Sequence, residues 1–120
     1  MKIMIVDDSA AMRMIVKKTL RQAGFEGHEI SEAEDGAKAL AAIQSGSPDL
    51  VLSDWNMPNM TGIELLEKLA AAGSKVKFGF VTTEATADMR ARATTAGAKF
   101  LISKPFTPES FKDALGPFIN

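Results

Sequence analysis

The sequence predicts an α/β fold with a parallel sheet covered by helices on both faces, and three observations carry that prediction. Five short apolar runs, "KIMIV", "HEISEA", "LVLS", "KFGFV" and "KFLIS", recur along the chain, each rich in Ile, Val, Phe or Leu and short enough for a strand. Four of them lack clean alternation, as expected of strands buried on both faces, whereas "HEISEA" alternates apolar and polar residues and belongs at an edge. Helical stretches separate the runs, so the chain reads as (βα) repeated five times. Right-handed crossovers leave few topologies for such a chain, and the flavodoxin-like order 2-1-3-4-5 fits a three-layer (βα)5 sandwich.

The helices justify themselves by their ends. "SAAMRMIVKKTLRQAG" opens with Ser9 as N-cap and closes on Gly24, with Met12, Ile15, Val16, Thr19 and Leu20 at a near-3.6 period. "DGAKALAAIQSG" and "TGIELLEKLAAAG" also end on Gly. "TPESFKDALG" starts with Thr107 as N-cap and Pro108 at the first helical position. "TADMRARATTAG" is the poorest helix of the set, with Thr-rich polar faces and Met89 as its one large apolar residue.

Composition narrows the function. At 120 residues the chain reads as one domain, residues 1–120, with an ordinary hydrophobic share of 46%. A net charge of −1, from 14 basic and 15 acidic residues, gives no global field toward nucleic acid or membrane. The absence of cysteine removes disulfides, thiol catalysis and thiolate metal sites. The opening "MKIMIVDD" is too short an apolar run for a signal peptide, and no segment approaches a membrane span, so a soluble cytoplasmic domain is expected.

Chemistry gathers at the strand ends. In open parallel sheets ligands bind beyond the carboxyl ends of the strands, where the strand order reverses. Strand one ends at Asp7 and Asp8, strand three at Asp54, strand four at Thr82 and strand five at Lys104. Taken singly, each residue has an ordinary role. Asp7 and Asp8 would suit a helix N-terminus, Asp54 a turn, Thr82 a strand and Lys104 a solvated strand end. His28 reads as surface, and the seven Met as packing residues. The convergence of four strand ends on one rim argues for a site.

Clustered carboxylates raise one another's pKa or recruit a cation, since like charges about 4 Å apart repel by roughly 4 kcal/mol at an effective dielectric near 20. The ligands on offer are hard oxygens, with no Cys and no nearby His, which suits Mg²⁺ with several waters and a phosphoryl oxygen. A carboxylate able to attack, a cation that favours phosphate and a lysine to balance the product describe phosphoryl transfer.

The segments "VDDS", "SDWNMPNMTGIELL", "VTTEA" and "KPFTPE", in that order, resemble the receiver domain of two-component response regulators, specifically its single-domain, CheY-like chemotaxis type. The resemblance covers the whole chain. It implies that Asp54 accepts a phosphoryl group from a partner histidine kinase. It implies that Asp7 and Asp8, with Asp54 and the backbone carbonyl of Asn56, hold Mg²⁺. Lys104 would pair with the phosphoryl oxygens, its bond to Pro105 being cis in many relatives, and Thr82 would turn phosphorylation into a shape change. Asn56 and Glu84 match variable positions that help set the lifetime of the aspartyl phosphate. The protein would act as a signal carrier, catalysing only its own phosphorylation and dephosphorylation.

Three positions depart from the pattern. Leu101 stands where chemotaxis-type receivers carry an aromatic residue, with Phe100 one place early and therefore on the opposite face of the strand. Thr83 replaces a small residue, and the fourth helix offers little apolar surface. Other classes fit less well. A phosphohydrolase of the common type needs a second acid two residues after its nucleophile, where Asn56 stands. A flavin or nucleotide module needs a glycine-rich phosphate loop, where "DDSAAM" would repel a phosphate. A purely structural adaptor leaves the complete rim set unexplained. With no output domain expected after residue 120, the reading is a monomer acting through protein binding, on a flagellar motor switch or as a phosphorelay shuttle to a histidine phosphotransferase.

Overall fold

A computed structural model describes residues 1–46 and 48–119. Its elements alternate as the sequence predicts: β1 (Lys2–Val6), α1 (Ala10–Gln22), β2 (Glu29–Ala33), α2 (Gly36–Ser45), β3 (Leu50–Ser53), α3 (Gly62–Ala71), β4 (Lys77–Thr82), α4 (Ala87–Ala96), β5 (Phe100–Ser103) and α5 (Pro108–Leu115). The five strands form one parallel sheet in the order β2-β1-β3-β4-β5, so the expected topology holds and β2 is an edge strand.

Alternation along the strands builds two cores. Met4, Val6, Val51, Phe78 and Phe80 point to one face, where Ile43 of α2, Leu65, Leu66 and Leu69 of α3 and Ala93 of α4 cover them. Ile3, Ile5, Leu50, Leu52, Val81 and Ile102 point to the other, against Val16 and Leu20 of α1 and Phe111 and Leu115 of α5. Burial on both faces is why the central strands read as unbroken apolar runs.

Helix ends follow their capping chemistry. The side chains of Ser9, Asp35, Thr61, Thr86 and Thr107 each accept a hydrogen bond from a backbone N–H in the first turn of α1 to α5 respectively. Two closures differ by one residue from the sequence reading. The C-caps of α1 and α3 are Ala23 and Ala72, and the glycines follow them with positive φ. The stripe on α1 is also narrower than its periodicity: Val16, Thr19 and Leu20 are buried, but Ile15 is 47% exposed. Met14 is 66% exposed and so lies outside the packing role expected of the methionines. His28 is half-buried, not simply surface, and its Nδ1 lies 3.2 Å from the N-terminal amine.

Candidate functional site

β1 and β3 lie side by side at the point where strand order reverses, and their paired ends deliver the acids. The Asp7 N–H donates to Ala33 O at 3.1 Å, and the Asp54 N–H to Val6 O at 2.9 Å, so both residues extend the sheet's hydrogen bonding past the last strand residue. Asp7, Asp8 and Asp54 each offer a carboxylate oxygen, and the three oxygens lie within 4.8 Å of one another. From the end of β5, Lys104 Nζ reaches Asp7 Oδ2 at 3.3 Å and Asp54 Oδ2 at 3.5 Å. One ammonium, paired with Asp7 and Asp54, thus meets a cluster of three carboxylates, an excess of negative charge suited to a small divalent cation.

The acids differ in their surroundings. Asp8 is exposed, while Asp7 is 4% exposed. Burial pushes the Asp7 carboxyl above its ordinary range, and the Asp54 charge adds to that push. The Ser9 N–H bonded to Asp7 Oδ1 at 2.9 Å and the Lys104 ammonium oppose it. Asp54 Oδ1 accepts the Trp55 N–H at 2.7 Å, while Oδ2 is turned toward Lys104. One oxygen is therefore held by the backbone and the other faces the cluster.

The other rim residues are placed less directly. Thr82 is fully buried at the end of β4, its Oγ1 accepting the Glu84 N–H at 3.4 Å, with no hydrogen bond to the cluster among the described residues. It joins the lysine through the backbone, where the Lys104 N–H donates to Thr82 O at 2.7 Å. Asn56 is exposed, and among the described residues its carbonyl accepts no hydrogen bond. Thr83 and Glu84 are exposed, and the Lys104–Pro105 peptide is cis.

Packing holds the loop after β3 against the sheet. Trp55 and Met57 are buried, and the Trp55 ring lies 4.8 Å from that of Phe80. The Gly62 N–H donates to Trp55 O at 2.8 Å, and a Cβ at Gly62 would collide with the Asp54 carbonyl oxygen. Only glycine lets α3 start so close to Asp54. A further pair was not singled out by the sequence reasoning. Asp35, 5% exposed, caps α2 through the Lys38 N–H and also accepts from Asn59 Nδ2 at 3.1 Å. These bonds, led by the Lys38 N–H, hold its carboxyl below the ordinary range. The detectable signal was the "DG" pair opening α2, which marks the N-cap but not its second partner.

This fold is a doubly wound α/β domain whose rim, where strand order reverses, carries three clustered carboxylates and one lysine. The chain belongs to the response regulator receiver domain family, whose model matches residues 3–116. It is 42% identical over 118 residues to the chemotaxis protein CheY of Pseudomonas aeruginosa, covering 96% of this chain and 93% of that one. It is likewise 42% identical over 117 residues to CheY-3 of Vibrio cholerae, covering 96% and 88%. Among solved structures, chemotaxis protein CheY4 of Vibrio cholerae superposes with a TM-score of 0.85 at 33% identity, covering 98% of each chain.

Proposed function

We propose that residues 1–120 form one receiver domain acting as a phosphoacceptor in a two-component system, and that Asp54 is the acceptor. The observation that carries this reading is the meeting of Asp54 with Asp7, Asp8 and Lys104 on one rim. Asp54 Oδ2 attacks the phosphorus of a partner kinase's phosphohistidine. The O–P bond forms, the P–N bond breaks, and the imidazole leaves with a proton from solvent. Trp55 N–H fixes the other carboxylate oxygen and so the direction of attack. Lys104 moves its charge from the free carboxylate to the phosphoryl oxygens, where negative charge accumulates. Mg²⁺ fits the donor set, with Asp7, Asp8, Asp54 and the Asn56 carbonyl as its protein ligands. When bound, it supplies charge neutralisation to the phosphoryl group.

Thr82 then serves as the hydroxyl that responds to the phosphoryl group, and exposed Asn56 and Glu84 help set the lifetime of the aspartyl phosphate. The chain catalyses only its own phosphorylation and dephosphorylation, in the cytoplasm and as a monomer. The likeness to chemotaxis proteins supports an output on a flagellar motor switch, with neither nucleic acid nor membrane as partner. The polar α4, in which Ala93 is the one buried residue, and Leu101 in place of an aromatic favour a second reading, a phosphorelay shuttle. The test is incubation with a small acyl-phosphate donor and Mg²⁺. One base-labile phosphoryl group should appear on the wild type and none on Asp54→Asn. Label persisting on that variant would sink the assignment.

A further inference from the structure

The loop from Asp54 to Thr61 carries two of the proposed metal ligands, Asp54 and the Asn56 carbonyl; Met57 and Met60 pack on the core, but hydrogen bonds to its outer half are few. Among the described residues, the one hydrogen bond from residues 56–60 to another element is Asn59 Nδ2 to Asp35 Oδ2, at 3.1 Å. Asn59 adopts a left-handed backbone, φ 68, which non-glycine residues seldom take and Asn tolerates best. Its partner is well anchored. Asp35 is buried, its other oxygen is bonded to the Lys38 N–H at 2.8 Å, and the helix it caps touches the loop directly. A Cβ on Gly36 would lie 2.7 Å from the Met60 carbonyl oxygen.

We propose that Asp35 and Asn59 form a positioning clamp, which ties the loop after β3 to the N-terminus of α2 and preorganises the Asn56 carbonyl beside the acidic cluster. This rests on the phosphoacceptor reading above and deepens it. Neither residue touches the reacting atoms. Released from Asp35, residues 56–60 sample more conformations, and ordering them becomes part of the cost of binding the cation. The clamp therefore governs Mg²⁺ affinity and leaves the chemistry at saturating Mg²⁺ intact.

Two variants separate clamp from cap and from strain. Asn59→Gly removes the bond while easing the positive φ. Asp35→Ser keeps a good N-cap on α2 but is too short to reach Asn59. Mg²⁺ binding is read from Trp55 fluorescence in unphosphorylated protein. Each variant should raise the dissociation constant about fivefold, the low end of ordinary coupling between sites. The double variant should be no weaker than either single one, because both remove the same bond. In metal-free protein, amide hydrogens of residues 56, 57, 59 and 60 and of Gly62 should exchange faster in Asn59→Gly. Phosphorylation at saturating Mg²⁺ should match wild type. Unchanged Mg²⁺ affinity in Asn59→Gly, or additive losses in the double variant, would overturn the clamp. A wild type that neither binds Mg²⁺ nor accepts phosphate would instead overturn the underlying reading.

Discussion

Lys104 Nζ stands 3.5 Å from Asp54 Oδ2, joining the ends of two strands that are not neighbours in the sheet. The same ammonium lies 3.3 Å from Asp7, and all three side chains are largely buried. Removing one partner of such a group leaves unpaired buried charge, which costs about 3 kcal/mol. Lys104→Ala should therefore destabilise the metal-free protein by about that amount. Added Mg²⁺ should restore part of the loss, because it meets the same excess of negative charge. Phosphorylation should slow, since no other described cation lies beside Asp54. Urea unfolding with EDTA and with Mg²⁺ measures both effects, and equal losses in the two media would count against the charge argument.

Asp7 gives a pH dependence of opposite sign to that of most carboxylates. Burial raises its folded pKa above the ordinary 3.8, so in that range the folded chain binds more protons than the unfolded one. The contribution of Asp7 to stability therefore falls as pH rises from about that ordinary value through the folded one. Asp7→Asn keeps the side-chain oxygen that accepts from Ser9 but removes the charge. In EDTA, the difference in unfolding free energy between Asp7→Asn and wild type should shift in favour of the variant as pH rises from about 3.8 through the folded pKa of Asp7. A pH-independent difference would show that the Asp7 charge is not destabilising.

The cluster was legible because topology carries it. Once the five runs are strands in a parallel sheet, the switch-point rule brings Asp7, Asp8 and Asp54 together whatever the helices do. The strands were legible for a related reason: two covered faces leave apolar runs with no polar interruption. Details that depend on neighbours were not. Periodicity put Ile15 on the inner face of α1, but it cannot say how far the sheet and α5 extend over that face. Thr82 was placed on the rim correctly by strand order, yet the direction of its hydroxyl, toward Glu84 N–H, depends on the conformation of the following loop. The Asp35–Asn59 bond needs the docking of α2 against the loop after β3, which no local pattern records.

Gly62 should not tolerate a side chain. A methyl group there meets the Asp54 carbonyl oxygen, with Ser53 Oγ and the Phe80 ring each at 3.0 Å, and the backbone oxygen cannot rotate away. Gly62→Ala should destabilise by about 2 kcal/mol, within the usual range for forcing atoms into a packed site. It should also weaken Mg²⁺ binding, because the displaced carbonyl belongs to Asp54, the proposed acceptor and metal ligand. A thermal melt together with the Trp55 titration checks the two effects separately.

On the proposed reading, Thr82 separates chemistry from response. It is buried and makes no hydrogen bond to the described carboxylates, so the unphosphorylated cluster does not depend on its hydroxyl. Thr82→Val preserves the bulk of the side chain and should be phosphorylated at nearly the wild-type rate. Its phosphorylation-dependent partner binding should fall about tenfold, the effect of one lost hydrogen bond to a charged group. Thr82→Ser should retain that binding. A pull-down with and without a stable phosphoryl mimic reads the result, and a normal response in Thr82→Val would remove the residue from the switch.

Leu101 pairs with Phe80 across the β4–β5 ladder and packs against the core that α3 and α4 cover. Phe100 points the other way, its ring filling the space a Cβ at Gly79 would need and lying 6.0 Å from the ring of Phe118. The aromatic neighbour is thus built into the opposite core and cannot substitute for a ring at position 101. Leu101 is half-buried and has no polar tip, so swinging it outward costs about 1 kcal/mol with no hydrogen bond in return. An inward swing is opposed by the packed cluster already there. A two-state rotamer at this position therefore has no driving force, and on the proposed reading the response travels through Thr82 and the loop of residues 83–86 into α4. Structures with and without a beryllofluoride-type mimic should show that loop displaced while Leu101 keeps one rotamer. A Leu101 side chain exposed in one state and buried in the other would refute this route.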